Sequence, residues 1–140
     1  DALRSIDAWC EDLSNCKAAV ALDAASETWP VAGPFTAVLA VDFLHVASPG
    51  AKRGLFAGAD KVLAKSRGLV FLVGPFSIDG KITDDNLAFD AILKSKNEAG
   101  WGVPEARDVD AYAAQYGFDR IAIETLSPDY FALVYAKCST

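Results

Sequence analysis

Two apolar runs constrain this chain most. Leu69-Val70-Phe71-Leu72-Val73 leads directly into Gly74-Pro75-Phe76, and residues 35–43 are nearly all apolar. Short runs without polar alternation, bounded by turn residues, read as strands buried on both faces, as in parallel sheets. The Gly-Pro turn ends the second run, and in open α/β sheets ligands sit at the carboxyl ends of such strands. A long polar excursion follows, carrying Asn86, Phe89, Asp90, Trp101 and Gly102.

Around these runs the periodicity predicts alternating elements. Leu3, Ile6, Trp9, Cys10 and Leu13 recur at helical spacing over residues 1–13. A short strand is expected over residues 17–22, ending at Asp23, and Trp29-Pro30 and Gly33-Pro34 mark a turn-rich loop. Leu55, Phe56, Ala59, Val62 and Leu63 give residues 51–65 one apolar helical face, with Pro49 near the start. A further helix over residues 84–94 is expected to be capped by Asp84 or Asp85. Another runs from Asp108 to about Tyr116, where Gly117 stops it. Residues 118–126 and 130–137 read as a hairpin around Ser127-Pro128-Asp129. This order calls for a three-layer α/β sandwich with a mixed sheet.

The chain has 140 residues, enough for one domain and too few for two. Its formal charge of −6, with no basic run longer than Lys52-Arg53, argues against a general polyanion binder. The longest apolar stretches fall well short of the roughly 18 residues that span a bilayer, so a membrane role would come through a partner. Cys10, Cys16 and Cys138 form no Cys-x-x-Cys pair and no zinc spacing. Cys10 and Cys16 read as buried small hydrophobes. With one histidine, His45, and no cysteine cluster, no metal site is expected. The sequence lacks methionine, so residue 1 is not expected to be a translation start. A removed leader, or membership in a longer polypeptide, would account for that. Organelle import is compatible with it. The chain is expected to be soluble and intracellular, its compartment open.

Several motifs together carry a family resemblance. They are Leu22-Asp23, Phe43-Leu44-His45, the helical Gly54-Leu55-Phe56-Ala57-Gly58-Ala59, Gly74-Pro75-Phe76, Asn86-Leu87-Ala88-Phe89-Asp90, Trp101-Gly102-Val103 and Asp108-Val109. In this spacing the chain resembles a class I S-adenosylmethionine-dependent methyltransferase. More narrowly, it resembles the methyltransferase-like 26 family, over roughly the last two thirds of a member. The resemblance implies a Rossmann-like sheet in spatial order 3-2-1-4-5-7-6, with the seventh strand antiparallel. On that template residues 17–22 become strand 3, residues 35–43 strand 4 and residues 68–73 strand 5, and the hairpin becomes strands 6 and 7. Residues 1–140 then form a single partial domain, mostly parallel with a C-terminal antiparallel hairpin and lacking the first two strands. Residues 76–107 are an insertion between strand 5 and the next helix.

The resemblance also implies site residues. Asp23 falls near the adenine edge of the cofactor, and Asp42 and His45 lie at the end of strand 4, making three cofactor-side candidates. Gly74, Pro75 and Phe76 would shape the pocket floor. Asn86, Phe89 and Asp90 share a helical face, and with Trp101 they complete the substrate-side set. Some have a plainer reading: a turn carboxylate for Asp23, a structural histidine for His45, a rigid turn with a buried ring at Gly74-Pro75-Phe76, a core lid for Trp101. No catalytic residue is assigned. The cofactor's glycine-rich loop would precede Asp1, so S-adenosylmethionine is expected only if that part is supplied, by an N-terminal segment or a protein partner that completes the sheet.

Departures from the family pattern bear on function. Asp42 stands where asparagine is usual, Ile82 where histidine is common, Pro104-Glu105 in place of an Arg-Asp pair, and Asp129-Tyr130 where an Asn pair is common. Two functions follow as expectations. One is the acceptor-side part of a methyltransferase, which does not bind cofactor on its own. The other is a non-catalytic accessory subunit of a larger assembly.

Overall fold

The apolar run at residues 69–73 forms a central strand, as its composition predicts. In the computed structural model, which describes residues 1–138, the elements are α1 (Ala2–Trp9), β1 (Ala37–Val41), a single 3-10 turn (Leu44–Val46), α2 (Pro49–Val62), β2 (Leu69–Gly74), α3 (Asp84–Lys94), α4 (Ala106–Ala114), β3 (Phe118–Ser127) and β4 (Tyr130–Lys137). The four strands make one sheet in the order β1-β2-β4-β3. β1 pairs with β2 in parallel, Ala37 opposite Leu69 through Val41 opposite Val73. β4 lies antiparallel to both β2 and β3. Three strands therefore point the same way and only β4 is reversed. This is the mixed α/β sheet expected of the C-terminal part of a methyltransferase fold.

One face of the sheet carries the core. Val70 and Leu72 of β2 lie opposite Tyr135 and Leu133 of β4, and all four are essentially inaccessible to solvent. Phe56 and Ala59 of α2, Val109 and Ala113 of α4, and Phe118 belong to the same cluster. Phe56 meets the Tyr135 ring edge-on, with centroids 5.4 Å apart. Burying an aromatic or branched side chain of this size contributes about 1.5–3 kcal/mol. The Tyr135 hydroxyl is satisfied by donating to Asp110 Oδ1 at 2.8 Å, as burial of a phenol requires.

Several expectations need correction. Residues 17–22 form no strand. Among the described residues no strand lies on that side of β1, so a strand there would leave both its edges unpaired. The segment is held instead by side-chain contact, the Ala19 amide donating to Asp7 Oδ1 at 2.7 Å. Residues 35–43 give a strand only over β1, and it is not buried on both faces, because Leu39 is 64% and Val41 52% exposed. As an edge strand it has only Val38 and Ala40 on the covered face. The three-layer sandwich is reduced to two layers among the described residues: α2 and α4 cover one face, while α1 has no buried residue. Its apolar stripe is real, but no surface receives it, and the helix ends four residues before Leu13. Cys10 is half-buried and Cys16 exposed, neither a core residue. The cap of α3 is Thr83, not Asp84 or Asp85, its Oγ1 accepting from the Asn86 amide. The two aspartates occupy the first helical turn, where negative charge favours the helix dipole.

Candidate functional site

The carboxyl ends of β1 and β2 lie side by side, and the loops leaving them build the site. Asp42 follows β1 with φ +53°, in the left-handed region that aspartate and asparagine enter more readily than other side chains. Its amide still donates to the Val73 carbonyl at 2.9 Å, extending the ladder by one bond. The chain then enters the 3-10 turn that carries His45. Gly74 ends β2 facing both groups: a methyl at its Cα would lie 3.7 Å from Asp42 Oδ1 and 3.9 Å from His45 Nδ1. Pro75 and Phe76 are buried beside it, Phe76 within the main core.

His45 is buried, with Phe89 of α3 edge-on at a ring-centroid distance of 5.4 Å. Burial lowers its pKa, the Asp42 charge opposes that shift, and the Lys52 ammonium adds to it. The net result favours the neutral imidazole. Asp42 also acts on Tyr130, the first residue of β4. Hydrogen bonding to the Asp42 carboxylate, with smaller contributions from burial and charge, pushes this phenol up to about 12. Tyr130 therefore stays protonated and is a donor at neutral pH.

The substrate-side candidates divide in two. Phe89 and Trp101 are half-buried. Asn86 and Asp90 are buried, and the structure gives their polar atoms partners inside the chain. Asn86 Nδ2 donates to the Asp129 carbonyl at 2.8 Å, and the Thr83 hydroxyl donates to the Asp129 carboxylate, so α3 grips the β3–β4 turn. Asp90 accepts from the Val103 amide at 2.8 Å and from Lys94 Nζ at 2.6 Å. Gly102 donates to the His45 carbonyl at 2.9 Å, and the Gly100 carbonyl accepts from Lys52 Nζ at 2.6 Å. The Trp101 loop is thereby tied to α3, to the His45 turn and to α2. Gly102 has φ +146°, and a Cβ there would come within 2.8 Å of Asp90 Oδ1, so the close approach depends on glycine.

Asp23 lies on the other side of β1. Its Oδ1 accepts from the Ala25 amide at 2.9 Å and its carbonyl from the Ser26 amide, an Asx turn. That loop is seated on α2 by two glycines: a Cβ at Gly54 would lie 2.1 Å from the Ala24 carbonyl, and one at Gly58 2.0 Å from the Trp29 indole. The Gly54-to-Gly58 motif is thus a docking surface for the Asp23 loop. Between this loop and β1 runs a groove of about 310 Å³ lined by Leu22, Ala24, Val41 and Phe43 among others. Asp23 stands between Leu22 and Ala24, which line the groove, and is not itself among its lining residues. Tyr130, Lys52 and Thr83 were not apparent from the sequence as site residues. Only the unusual Asp129-Tyr130 pair hinted at the first.

The family described as "Protein of unknown function (DUF938)" matches residues 1–135. The chain belongs to this family. Among solved structures, the DUF938 chain is similar to the mitomycin 7-O-methyltransferase MmcR, with a TM-score of 0.77 at 9% identity, covering 96% of this chain and 38% of that one. It is also similar to CalO1, a methyltransferase in calicheamicin biosynthesis, in its SAH-bound form, with a TM-score of 0.64 at 11% identity over 74% of this chain and 30% of that one. A third is human N-acetylserotonin methyltransferase in complex with SAM, with a TM-score of 0.61 at 12% identity over 75% of this chain and 31% of that one. The DUF938 chain therefore has a methyltransferase-like fold and spans about a third of the length of these structures. Among the described residues no three His, Cys, Asp or Glu side chains come together as a metal site, and no helix is long and apolar enough to cross a membrane.

Proposed function

We propose that this chain is the acceptor-side part of an S-adenosylmethionine-dependent methyltransferase, of the methyltransferase-like 26 type that its motifs resemble. The observation that carries the reading is the groove at the free edge and carboxyl end of β1, where Leu22 and Ala24 of the Asp23 loop face Val41 and Phe43, the two neighbours of Asp42. A ligand bound there would meet the Asp23 loop at one side and the end of β1, next to Asp42, at the other. The neighbouring structures bound to SAM and SAH support the choice of cofactor.

In this reading the cofactor supplies an electrophilic methyl group, and the chain's residues position the acceptor against it. Neutral His45 offers a lone pair toward an acceptor proton. The Asp42 carboxylate keeps the Tyr130 phenol protonated. Phe89 and Trp101 present aromatic surface. Gripping the cofactor takes backbone along the free edge of β1, supplied by a longer form of the polypeptide or by a protein partner.

A second reading, a non-catalytic accessory subunit, draws on Asn86 and Asp90, whose polar atoms are used to hold the fold. Titration calorimetry of the full natural polypeptide, or of its native assembly, with S-adenosylmethionine and S-adenosylhomocysteine separates the two. Saturable binding of both is expected for the enzyme; no heat from either, with folded protein, would leave the accessory reading.

A further inference from the structure

A cleft of about 490 Å³ lies between the segment 76–83 and the covered face of β3 and β4. Its apolar walls are Phe76, Ile78, Ile82, Ile123 and Phe131, and its lip is polar, with Lys81 and Thr125. Sites for small molecules have this size and this mix of apolar wall and few polar groups. The cleft is preformed, because the groups that fix its walls do not fill it. The Glu105 carboxylate accepts from the Ser77 hydroxyl at 2.5 Å, from the Asp79 amide at 3.0 Å and from the Gly80 amide at 3.2 Å, locking one wall. The other wall is locked by the contacts of Thr83 and Asn86 to Asp129.

The lip has a charge preference. Asp79 is paired with Arg107 at 2.9 Å. Lys81 makes no side-chain hydrogen bond or ion pair among the described residues. A cation is thus left at the mouth of an aromatic-walled cleft, in a chain whose net charge is −6. The inner end approaches the Asp42–His45 cluster. Phe131 pairs across the strands with Gly74, and the residue before it is Tyr130.

We infer that this cleft binds a flat, largely apolar molecule carrying an anionic group, its rings against Phe76, Ile123 and Phe131 and its charge at Lys81. Building on the methyltransferase reading, that molecule is the methyl acceptor, reaching toward His45 from the Phe131 end. The binding itself needs no cofactor, so it is tested apart from that reading.

The test uses the full natural polypeptide, followed by NMR of isoleucine methyl and backbone amide groups. The probes are naphthalene-2-carboxylate, the uncharged naphthalene-2-carboxamide and the cationic 2-(aminomethyl)naphthalene. The carboxylate is expected to shift the resonances of Ile78, Ile82, Ile123 and Phe131 and to bind about tenfold more tightly than the amide. Lys81→Glu should reverse the preference in favour of the cation, and Thr125→Trp, which fills the cleft from an exposed position, should abolish the shifts. Melting curves of both variants confirm folding, and either one alone decides the matter. Absence of shifts at these residues at millimolar probe, an unchanged charge preference in Lys81→Glu, or undiminished binding in Thr125→Trp would each overturn the inference. None of these outcomes touches the calorimetric test of cofactor binding, which can fail or succeed independently.

Discussion

Asp42 is the residue on which most of the site's electrostatics turn. It ends β1 in a left-handed conformation, faces Gly74 and holds the Tyr130 phenol up at about 12, while its charge opposes the lowering of His45 by burial. Asp42→Asn keeps a side chain that tolerates this backbone but removes the charge. Two downward shifts are expected. The Tyr130 titration, followed by ultraviolet absorbance, should fall from about 12 toward the ordinary value of 10.0. The His45 midpoint, followed through its ring protons, should fall further below 6.5, because the opposing charge is gone. Movement of His45 upward would show that the Asp42 charge does not reach the imidazole. His45 also sets a sign for stability. Its folded pKa lies below the unfolded one, so the unfolded chain binds more protons in between. Stability contributed by neutral His45 is complete above about 6.5 and is lost as pH falls through the lowered value. His45→Gln should flatten that part of a melting-temperature profile.

At the scale of elements, the joints are few and specific. The Asp23 loop depends on α2 having no side chain at Gly58, where an added methyl would run into the Trp29 indole. Gly58→Ala should destabilise by about 1–3 kcal/mol, the usual range for overpacking, and should redshift Trp29 fluorescence as the ring is pushed outward. An unchanged denaturation midpoint would mean that the loop is not seated there. α4 is joined to β3 and β4 through Asp110. Arg120 donates to Asp110 from Nε at 2.8 Å and from Nη2 at 2.9 Å, and Tyr135 donates at 2.8 Å. Burial raises the Asp110 pKa, but the hydrogen bonds from Arg120 and then Tyr135, with the charges of Arg120 and Arg107, outweigh it and lower the group overall. Its stabilisation is therefore present above the ordinary carboxylate range and is lost as pH falls through the lowered value. Asp110→Asn should cost about 1.5–3 kcal/mol near neutral pH and nothing at pH values where the carboxylate is protonated in both states; a loss independent of pH would point to packing alone.

The sequence made the buried strands, α2, α3, the hairpin and the position of Gly74 legible, since these follow from local periodicity and turn chemistry. The periodicity of residues 69–73 and 130–137 cannot be satisfied except in a sheet interior. It did not reveal that residues 17–22 lack strand partners, because a strand's existence depends on a neighbour that no local pattern records. Nor did it show that Asn86 and Asp90 are used as clamps: their helical spacing placed them correctly on one face, but their hydrogen bonds go to residues 43 and 13 positions away. Tyr130 escaped notice for the same reason. Its neighbour Asp42 is remote in sequence and meets it only once β2 and β4 are paired.

For the molecule as a whole, the sheet ends in two edge strands, β1 and β3, and the groove lies beside β1. β3 ends the sheet on one edge, and β1 exposes Leu39 and Val41 on the other, next to the groove bounded by the Asp23 loop. An exposed apolar edge of this kind invites further strands, and we propose that a longer form of the chain or a partner supplies them. In the methyltransferase reading proposed above, the same edge is where a nucleoside would lie, between the Asp23 loop and the Val41–Phe43 end of β1. The most direct measurement is an amide-resolved NMR titration of the full natural polypeptide, or its native assembly, with S-adenosylhomocysteine. The expected result is a saturable shift at Leu22 to Ala25 and at Val41 to His45, with the strand β3 unaffected. Saturation with no change at either segment, or no binding at all by folded protein, would contradict a methyl-donor seat at the carboxyl end of β1.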